Sequence, residues 1–212
     1  MVDFLTENNQ KKGNFQHYYS KNPTSPFKKK IVELYLDSWM KLTFVTSSGV
    51  FSYSRIDRAS KLLIENCEID PEGSLLDLGC GYGLIGIAIK KKFPDIDLYM
   101  SDINERACTL SKINARDNNI EAVIRNGNLY EPWNDKKFSS ILTNPPFAAG
   151  RDVWEKAIRE SPEHLNKEGR LNVVAYHNKG GSRIEKIMES IFTNVRTLVK
   201  SGGIRVYVSV KL

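Results

Sequence analysis

The stretch Leu75-Leu76-Asp77-Leu78-Gly79-Cys80-Gly81-Tyr82-Gly83, continued by Leu84-Ile85-Gly86-Ile87-Ala88-Ile89, decides the fold. An apolar run, a glycine-rich turn and a second apolar run read as a strand, a turn and the start of a helix. Glycines at alternate positions 79, 81 and 83 remove every Cβ from the wall that a ligand would approach. A polar cofactor with a ribose and an adenine can lie across such a turn. Asp77 stands two residues before the first glycine, where its carboxylate is expected to face that ligand.

Alone, the turn has several readings. It can be a tight strand-to-helix connection and nothing more. Gly81-x-Gly83-x-x-Gly86 also fits the dinucleotide fingerprint of NAD enzymes. Asp102 follows Leu98-Tyr99-Met100-Ser101, 19 residues after Gly83. An acid at that distance can hold ribose hydroxyls in either class of protein.

A second motif separates the cofactors. Ser140-Ile141-Leu142-Thr143 reads as a buried strand and ends in Asn144-Pro145-Pro146-Phe147. Ligands of open α/β sheets bind at the carboxyl ends of the strands, so Asn144 falls beside the same cleft as Asp77 and Asp102. The prolines fix φ and lack N–H groups. The Pro145 carbonyl is then expected to point outward, unpaired within the sheet. With the Asn144 side-chain oxygen it makes two acceptors, and Phe147 adds a flat apolar face. Such a set suits a flat base with an exocyclic amine. Its lone pair is delocalised into the ring, and accepting hydrogen bonds from both N–H groups draws charge back onto nitrogen. Preoriented dipoles aimed at developing charge stabilise a transition state. The bland alternative is that the prolines merely end the strand.

These motifs resemble those of class I S-adenosylmethionine-dependent methyltransferases. Asp77-Leu78-Gly79-Cys80-Gly81-Tyr82-Gly83 matches that family's first motif, and Asp102 its ribose-binding acid. Asn144-Pro145-Pro146-Phe147 matches the motif of enzymes that methylate adenine N6, guanine N2 and glutamine side chains. Ser48-Gly49-Val50-Phe51-Ser52, Ile56-Asp57 and Lys61-Leu62-Leu63 are similar to the entry of small-domain methyltransferases related to the catalytic half of ribosomal RNA guanine-N2 methyltransferases. The likeness runs from about Tyr18 to the end of the sequence.

The resemblance implies S-adenosyl-L-methionine as cofactor. Asp77, Gly79, Cys80, Gly81 and Gly83 would cradle its methionine and ribose end, and Asp102 would accept from the ribose hydroxyls. Ile103 and Leu129 would sandwich the adenine, and Asn128 would contact its amine. Asn144 and Pro145 would polarise the nucleophile, with Pro146 shaping the turn and Phe147 stacking on the base. Cys80 fills that position for its size, and no nucleophilic role is expected of it. The chain departs from the ribosomal group in two ways. Ala148 stands where His often follows the Asn-Pro-Pro-Phe motif, and these residues match only the catalytic half of enzymes that carry a duplicated N-terminal domain. The implied substrate is a guanine of structured ribosomal or transfer RNA, with N2 favoured as an amine. Guanine N7 of transfer RNA, a protein glutamine and a non-catalytic binding role stay open.

Composition agrees. A length of 212 residues with 41% hydrophobic residues gives one core or one core with a small extension. No apolar run reaches the length of a membrane span. Met1–Lys12 has no apolar core of a signal peptide, so a cytoplasmic location is expected. Cys67, Cys80 and Cys108 are far apart, with no metal spacing and no disulfide framework. His17, His164 and His177 show no ligand spacing, and His164 is expected on the surface of a helix. No metal is expected, because a methyl sulfonium is already activated and needs alignment above all.

The expected fold is α/β: a seven-stranded, mostly parallel Rossmann-like sheet with an antiparallel last strand. Residues 1–53 form an N-terminal extension with a β-hairpin over Lys30–Phe51 turning at Asp37-Ser38, and residues 54–212 form the methyltransferase domain. Met1–Asn14 is expected to fray. After a helix over Asp57–Asn66, strands are expected near 74–78, 97–101, 122–125, 139–143 and 170–176. Helices are expected near 84–93, 104–117, 151–165 and 182–191, and a closing hairpin over Val195–Val199 and Ile204–Val210. The net charge of +6 is uneven: residues 1–30 carry +4, residues 170–212 carry +6 and the middle −4. Basic surface binds nucleic acid through phosphate neutralisation. The phosphate-contact candidates are Lys28, Lys29, Lys30, Lys179, Arg183, Lys200 and Arg205. Tyr18, Tyr19, Phe51 and Tyr53 are candidates for stacking on bases.

Overall fold

The computed structural model describes residue 21 and residues 25–36 and 40–212. Met1–Asn14, His17, Tyr18, Tyr19 and the expected turn at Asp37-Ser38 lie outside these residues. The hairpin comes first: β1 (Lys29–Leu36) pairs antiparallel with β2 (Met40–Ser47). Alternation sets its faces, with Val32, Leu34, Leu42 and Phe44 buried and Ile31 and Tyr35 exposed. The strand stops at Ser47, short of Phe51, because the start of a later helix captures the loop. Arg106 Nη1 donates to the Ser48 carbonyl at 2.7 Å, and Asn104 Nδ2 to that of Gly49 at 2.8 Å.

After α1 (Arg58–Asn66), strands and helices alternate. They are β3 (Ser74–Leu78), α2 (Leu84–Lys92), β4 (Asp97–Asp102), α3 (Glu105–Asp117), β5 (Val123–Asn126) and β6 (Phe138–Thr143). Then come α4 (Arg151–Glu160), β7 (Leu165–Tyr176), α5 (Gly181–Phe192), β8 (Arg196–Ser201) and β9 (Ile204–Val210). Seven strands form one sheet in the order β5-β4-β3-β6-β7-β9-β8, with β9 antiparallel to both of its neighbours. The order reverses between β3 and β6. The crevice at their carboxyl ends is the place where such sheets bind ligands.

Successive residues face opposite sides of each strand and so build two cores. Leu75, Met100 and Leu142 pack with α1, α2, α3 and the hairpin. Leu76, Ile141 and Val173 pack with α4 and α5. The hairpin is thus continuous with the core on one face of the sheet.

Cys80 and Tyr82 turn their side chains into the core, and the backbone groups of the glycine turn are held by neighbouring elements. The Gly79 and Cys80 amides donate to the Ser101 carbonyl at 2.9 and 3.0 Å. Gly81 donates to Asp102 Oδ2 and Gly86 to Asp77 Oδ2, each at 2.8 Å. The carbonyls of Gly81 and Tyr82 accept from Ser111 Oγ and Asn114 Nδ2, both on α3. Asn114 also bonds the amide and carbonyl of Val45, at 2.7 and 2.9 Å, and Asn118 does the same for Thr43. Two helical asparagines one turn apart therefore pair with the free edge of β2 as a third strand would.

The expected helix over 151–165 ends at Glu160. Pro162 has no N–H to offer the Ile158 carbonyl, and Ser161 takes it instead through its amide and hydroxyl. A 3-10 turn follows over Ser161–His164, and β7 starts earlier than expected, at Leu165. The turn swings His164 inward. It is not on the surface but buried, stacked on Tyr130 with ring centroids 4.2 Å apart. Cys67, Cys80 and Cys108 are free thiols. Among the described residues no three His, Cys, Asp or Glu side chains gather to hold a metal ion. No helix among them is long and apolar enough to cross a membrane.

Two outcomes follow from this junction. Asn114→Ala leaves the Val45 amide and carbonyl and the Tyr82 carbonyl without a partner, and should cost about 3 kcal/mol in urea unfolding. Asn118→Ala, at a more exposed pair, should cost about 1 kcal/mol. Equal losses would show that the β2 edge and the turn are not what Asn114 holds. Asp77 gives a pH signature: burial pushes its carboxyl up to about 7, the Gly86 amide opposes the shift, and the Asp102 charge adds to it. The unfolded chain releases this proton near 3.8 and the folded chain near 7, so this contribution to stability falls as pH rises between those values. Asp77→Asn lacks the effect. The melting temperature of the variant, relative to the unmutated protein, should therefore rise between pH 5 and pH 8; a constant difference would contradict the assignment.

Candidate functional site

The carboxyl ends of β3, β4, β5, β6 and β7 surround a cavity of about 520 Å³. Val50 and Phe51 of the captured loop and Asp57 at the head of α1 complete its wall. Thr143 Oγ1 donates to the Leu78 carbonyl at 2.9 Å and ties the ends of β6 and β3 together across the strand-order reversal. A volume of this size holds a cofactor-sized ligand.

On the β3–β4 side, Gly79, Gly81, Asp102 and Ile103 line the cavity. Gly79 and Gly81 have φ of +75° and +58°, and a Cβ on either would meet nothing within 4 Å. Side chains there would occupy open cavity, which is the space a ligand lying along the turn needs. Asp102 Oδ1 accepts from the Asn104 amide and Oδ2 from Gly81, both at 2.8 Å. A carboxylate has about four lone-pair sites, so each oxygen keeps one for a ligand hydroxyl. Burial raises the Asp102 pKa above its ordinary value, while the two amides pull the other way.

Three members of the sequence motif stand elsewhere. Asp77, Cys80 and Gly83 are not in the cavity wall. The Asp77 carboxylate does not face the cavity: it is fully buried, with Oδ2 on the Gly86 amide at the head of α2 and Oδ1 without a hydrogen-bond partner. Cys80 is buried, and burial pushes its thiol well above the ordinary range.

The end of β5 supplies Asn128 and Leu129. Leu129 has φ of +48°, a left-handed conformation unusual for a leucine and one that marks a constrained position. Glu131 accepts from the Asn128 amide N–H at 3.2 Å and from its Nδ2 at 3.4 Å. The side-chain oxygen of Asn128 is left as the acceptor at the cavity.

Asn144 is held in the same way. Its Nδ2 donates to Asp57 Oδ2 at 3.0 Å and to Ser60 Oγ at 2.9 Å. A carboxylate only accepts, so the amide orientation is fixed by chemistry and Oδ1 is its free end. The Pro145 carbonyl is unpaired within the sheet, as expected, but it has a local partner: it accepts from the Phe147 amide at 2.9 Å across Pro146, whose φ of −76° and ψ of 80° make an inverse γ-turn. One lone pair of that carbonyl remains. Phe147 packs against Trp154 at 5.6 Å between ring centroids, and a Cβ on Gly180 would stand 2.6 Å from its ring. Gly180, with φ of +114°, is thus required by close approach to the aromatic ring.

The basic candidates fall into two groups. Lys179 is exposed at the cavity wall, and Lys28, Lys29, Lys30 and Lys200 are exposed. Arg183 is ion-paired with Glu155, and Arg205 with Glu185 at 3.6 Å. Phe51 lines the cavity, and Tyr53 is exposed. Sequence reasoning did not find Asp57, Glu131 or Gly180 as site residues. The signal for Asp57 was local: Asp-x-x-Ser at a helix start is a capping pattern, and Asp57 does accept from the Ser60 amide at 2.7 Å.

Comparison with known proteins agrees with this geometry. The Methyltransferase small domain family matches residues 41–208. An uncharacterized protein, YbxB of Bacillus subtilis, is 40% identical over 192 residues, covering 89% of this chain and 94% of its own. Ribosomal RNA small subunit methyltransferase C of Pseudomonas syringae is 32% identical over 170 residues, covering 78% of this chain and 50% of its own. This chain thus spans about half the length of that relative. Among solved structures, the T. thermophilus 16S rRNA N2 G1207 methyltransferase in complex with AdoMet and guanosine superposes with a TM-score of 0.75 at 23% identity, over 89% of this chain and 51% of that one. A methyltransferase from Pyrococcus furiosus gives a TM-score of 0.62 at 19% identity, over 72% of this chain and 81% of its own. With the open glycine wall and the Asp102 acceptors suited to S-adenosylmethionine, the chain belongs to the Methyltransferase small domain family of class I S-adenosylmethionine-dependent methyltransferases.

Proposed function

We propose that this enzyme methylates the exocyclic N2 amine of a guanine in ribosomal RNA. The observation that carries the reading is the Asn144 amide, whose N–H groups are engaged by Asp57 and Ser60 so that its oxygen is the free end at the cavity. Bound S-adenosylmethionine supplies a methyl group on a sulfonium. The chain's task is to place the acceptor nitrogen and draw electron density onto it. Asn144 Oδ1 and the second lone pair of the Pro145 carbonyl accept the two amine hydrogens. Neither has to reorient during the reaction, because each is fixed by its own hydrogen bonds. Phe147, backed by Trp154 and Gly180, offers its ring to the base. Gly79, Gly81 and Asp102 hold the cofactor, Ile103 and Leu129 flank its adenine and Asn128 accepts from the adenine amine.

RNA as the substrate is supported by the names of the relatives and by where the charge falls. β8 runs parallel to β7, so the β8–β9 turn emerges at the same edge of the sheet as the cavity. That turn sits against Arg58, next to Asp57, and Lys200 lies at its start. The Lys28 carbonyl accepts from the Ser48 amide, two residues before Val50 in the cavity wall. Lysines from both ends of the sequence thus border one rim, with Lys179 between substrate and solvent. In bacteria, the source of the relatives named above, ribosomal RNA is made in the cytoplasm, and that is the location proposed for this enzyme.

Asn144→Ala should lower turnover by about 2.7–4 kcal/mol, or roughly 10²–10³-fold, while S-adenosylmethionine affinity measured by calorimetry stays within a few-fold. Mass spectrometry of nucleosides from treated ribosomal RNA should show N2-methylguanosine. N7-methylguanosine, or label in protein, would overturn the assigned acceptor. Phosphate contacts should also appear in the salt dependence of RNA binding. Lys200→Ala should reduce the log–log slope by roughly 0.7–0.9, the value of one lost contact, whereas Arg205→Ala should leave it nearly unchanged because Glu185 already neutralises it. Equal slopes for both variants would remove Lys200 from the RNA-binding surface.

A further inference from the structure

We propose that Asp57 is the residue by which this site tells guanine from adenine. The inference rests on the reading of the site given above. Asn144, Pro145 and Phe147 do not make this choice, since both purines offer a flat ring and an exocyclic amine. The choice has to come from whatever stands beside Asn144.

Asp57 stands there, in direct contact with it. Its Oδ2 accepts from the Ser60 amide at 2.7 Å, from Ser60 Oγ at 3.0 Å and from Asn144 Nδ2 at 3.0 Å. Its Oδ1 has no partner among the described residues, and the residue lines the cavity. One oxygen is thus committed to the helix cap and to Asn144, and the other is offered to a ligand. An ionised carboxylate accepts hydrogen bonds and cannot donate them.

Purine chemistry supplies the rest. Next to the N2 amine of guanine, ring atom N1 carries a hydrogen. Next to the N6 amine of adenine, ring atom N1 is a bare lone pair. With the amine at Asn144 Oδ1, the neighbouring ring position meets Asp57 Oδ1. Guanine gains a charge-assisted hydrogen bond there. Adenine brings a lone pair against a negative charge and leaves both groups unsatisfied. One well-placed polar contact of this kind discriminates between bases by roughly 5- to 150-fold.

Asp57→Asn tests this with little change of shape. Asn caps a helix as well as Asp does, so α1 is preserved. The amide oxygen must stay on the Ser60 amide and the Asn144 NH2, which are both donors. Its own NH2 then replaces Oδ1 and faces the base as a donor, which suits adenine and opposes guanine. Calorimetry of guanosine and adenosine with the protein saturated in S-adenosylhomocysteine reads the preference without methyl transfer. The unmutated protein should favour guanosine, and Asp57→Asn should lower the guanosine-to-adenosine ratio at least tenfold. Asp57→Ser keeps a cap but is too short to reach the base, and should bind the two nucleosides about equally.

A guanosine preference kept intact in a folded Asp57→Asn or Asp57→Ser variant overturns the proposal. So does an unmutated protein that favours adenosine, or that binds neither nucleoside. A loss of cofactor affinity above tenfold in Asp57→Asn also overturns it, by assigning Oδ1 to the cofactor's ammonium group. An Asp57-dependent guanosine preference in an enzyme whose RNA product is not N2-methylguanosine refutes the proposed reaction and leaves the role of Asp57 standing.

Discussion

A chain segment that bares its backbone to a cavity at Gly79 and Gly81 must still satisfy its own peptide groups, and this constraint organises the protein. The amides of residues 79–81 and 86 are taken up by the Ser101 carbonyl and the carboxylates of Asp102 and Asp77. The carbonyls of Gly81 and Tyr82 are taken up by α3. The helix that reaches the turn packs on β4 and β5, and the same helix covers the edge of the hairpin. The turn, α3 and the hairpin therefore form one connected unit, with Asn114 bonded to two of its parts and anchored in the third.

The chemistry at the cavity relies on one device used twice. An acidic side chain holds the NH2 end of an asparagine, and the amide oxygen is left as an acceptor of fixed direction. Asp57 does this for Asn144 and Glu131 for Asn128. An amide alone is ambiguous, since its two ends have nearly the same shape and opposite roles. A neighbouring carboxylate removes the ambiguity without placing a full charge at the reacting atom.

Much of this was legible in the sequence. Alternating apolar runs pointed to the hairpin and the alternation of strands with helices after Ser74 to the parallel sheet, and Asn144-Pro145-Pro146-Phe147 fell at the cavity with Gly79, Gly81, Asp102 and Asn128. What was not legible depends on direction or on distant partners. Asp77 belongs to the motif, but a residue one step from the cavity wall on a strand faces the other way, and its carboxylate caps α2. The Pro145 carbonyl lies outside the strand ladder as expected, but the local γ-turn that gives it the Phe147 amide as a partner leaves no mark in the sequence. His164 looked exposed on a helix that Pro162 in fact ends. Asp57 reads locally as a cap, and its contact with Asn144 spans 87 residues.

The position of β9 has a consequence for how the molecule assembles. β9 is synthesised after both of the strands it lies between. During synthesis β7 and β8 can complete neither of their facing edges, and pairing them with each other would give the wrong neighbour. The half of the sheet beyond β6 closes only when residues 204–210 insert. The β3–β4 side of the ligand cavity can thus begin to form while the far side is still open, and the last strand of this sheet to be made is the one that joins β7 to β8.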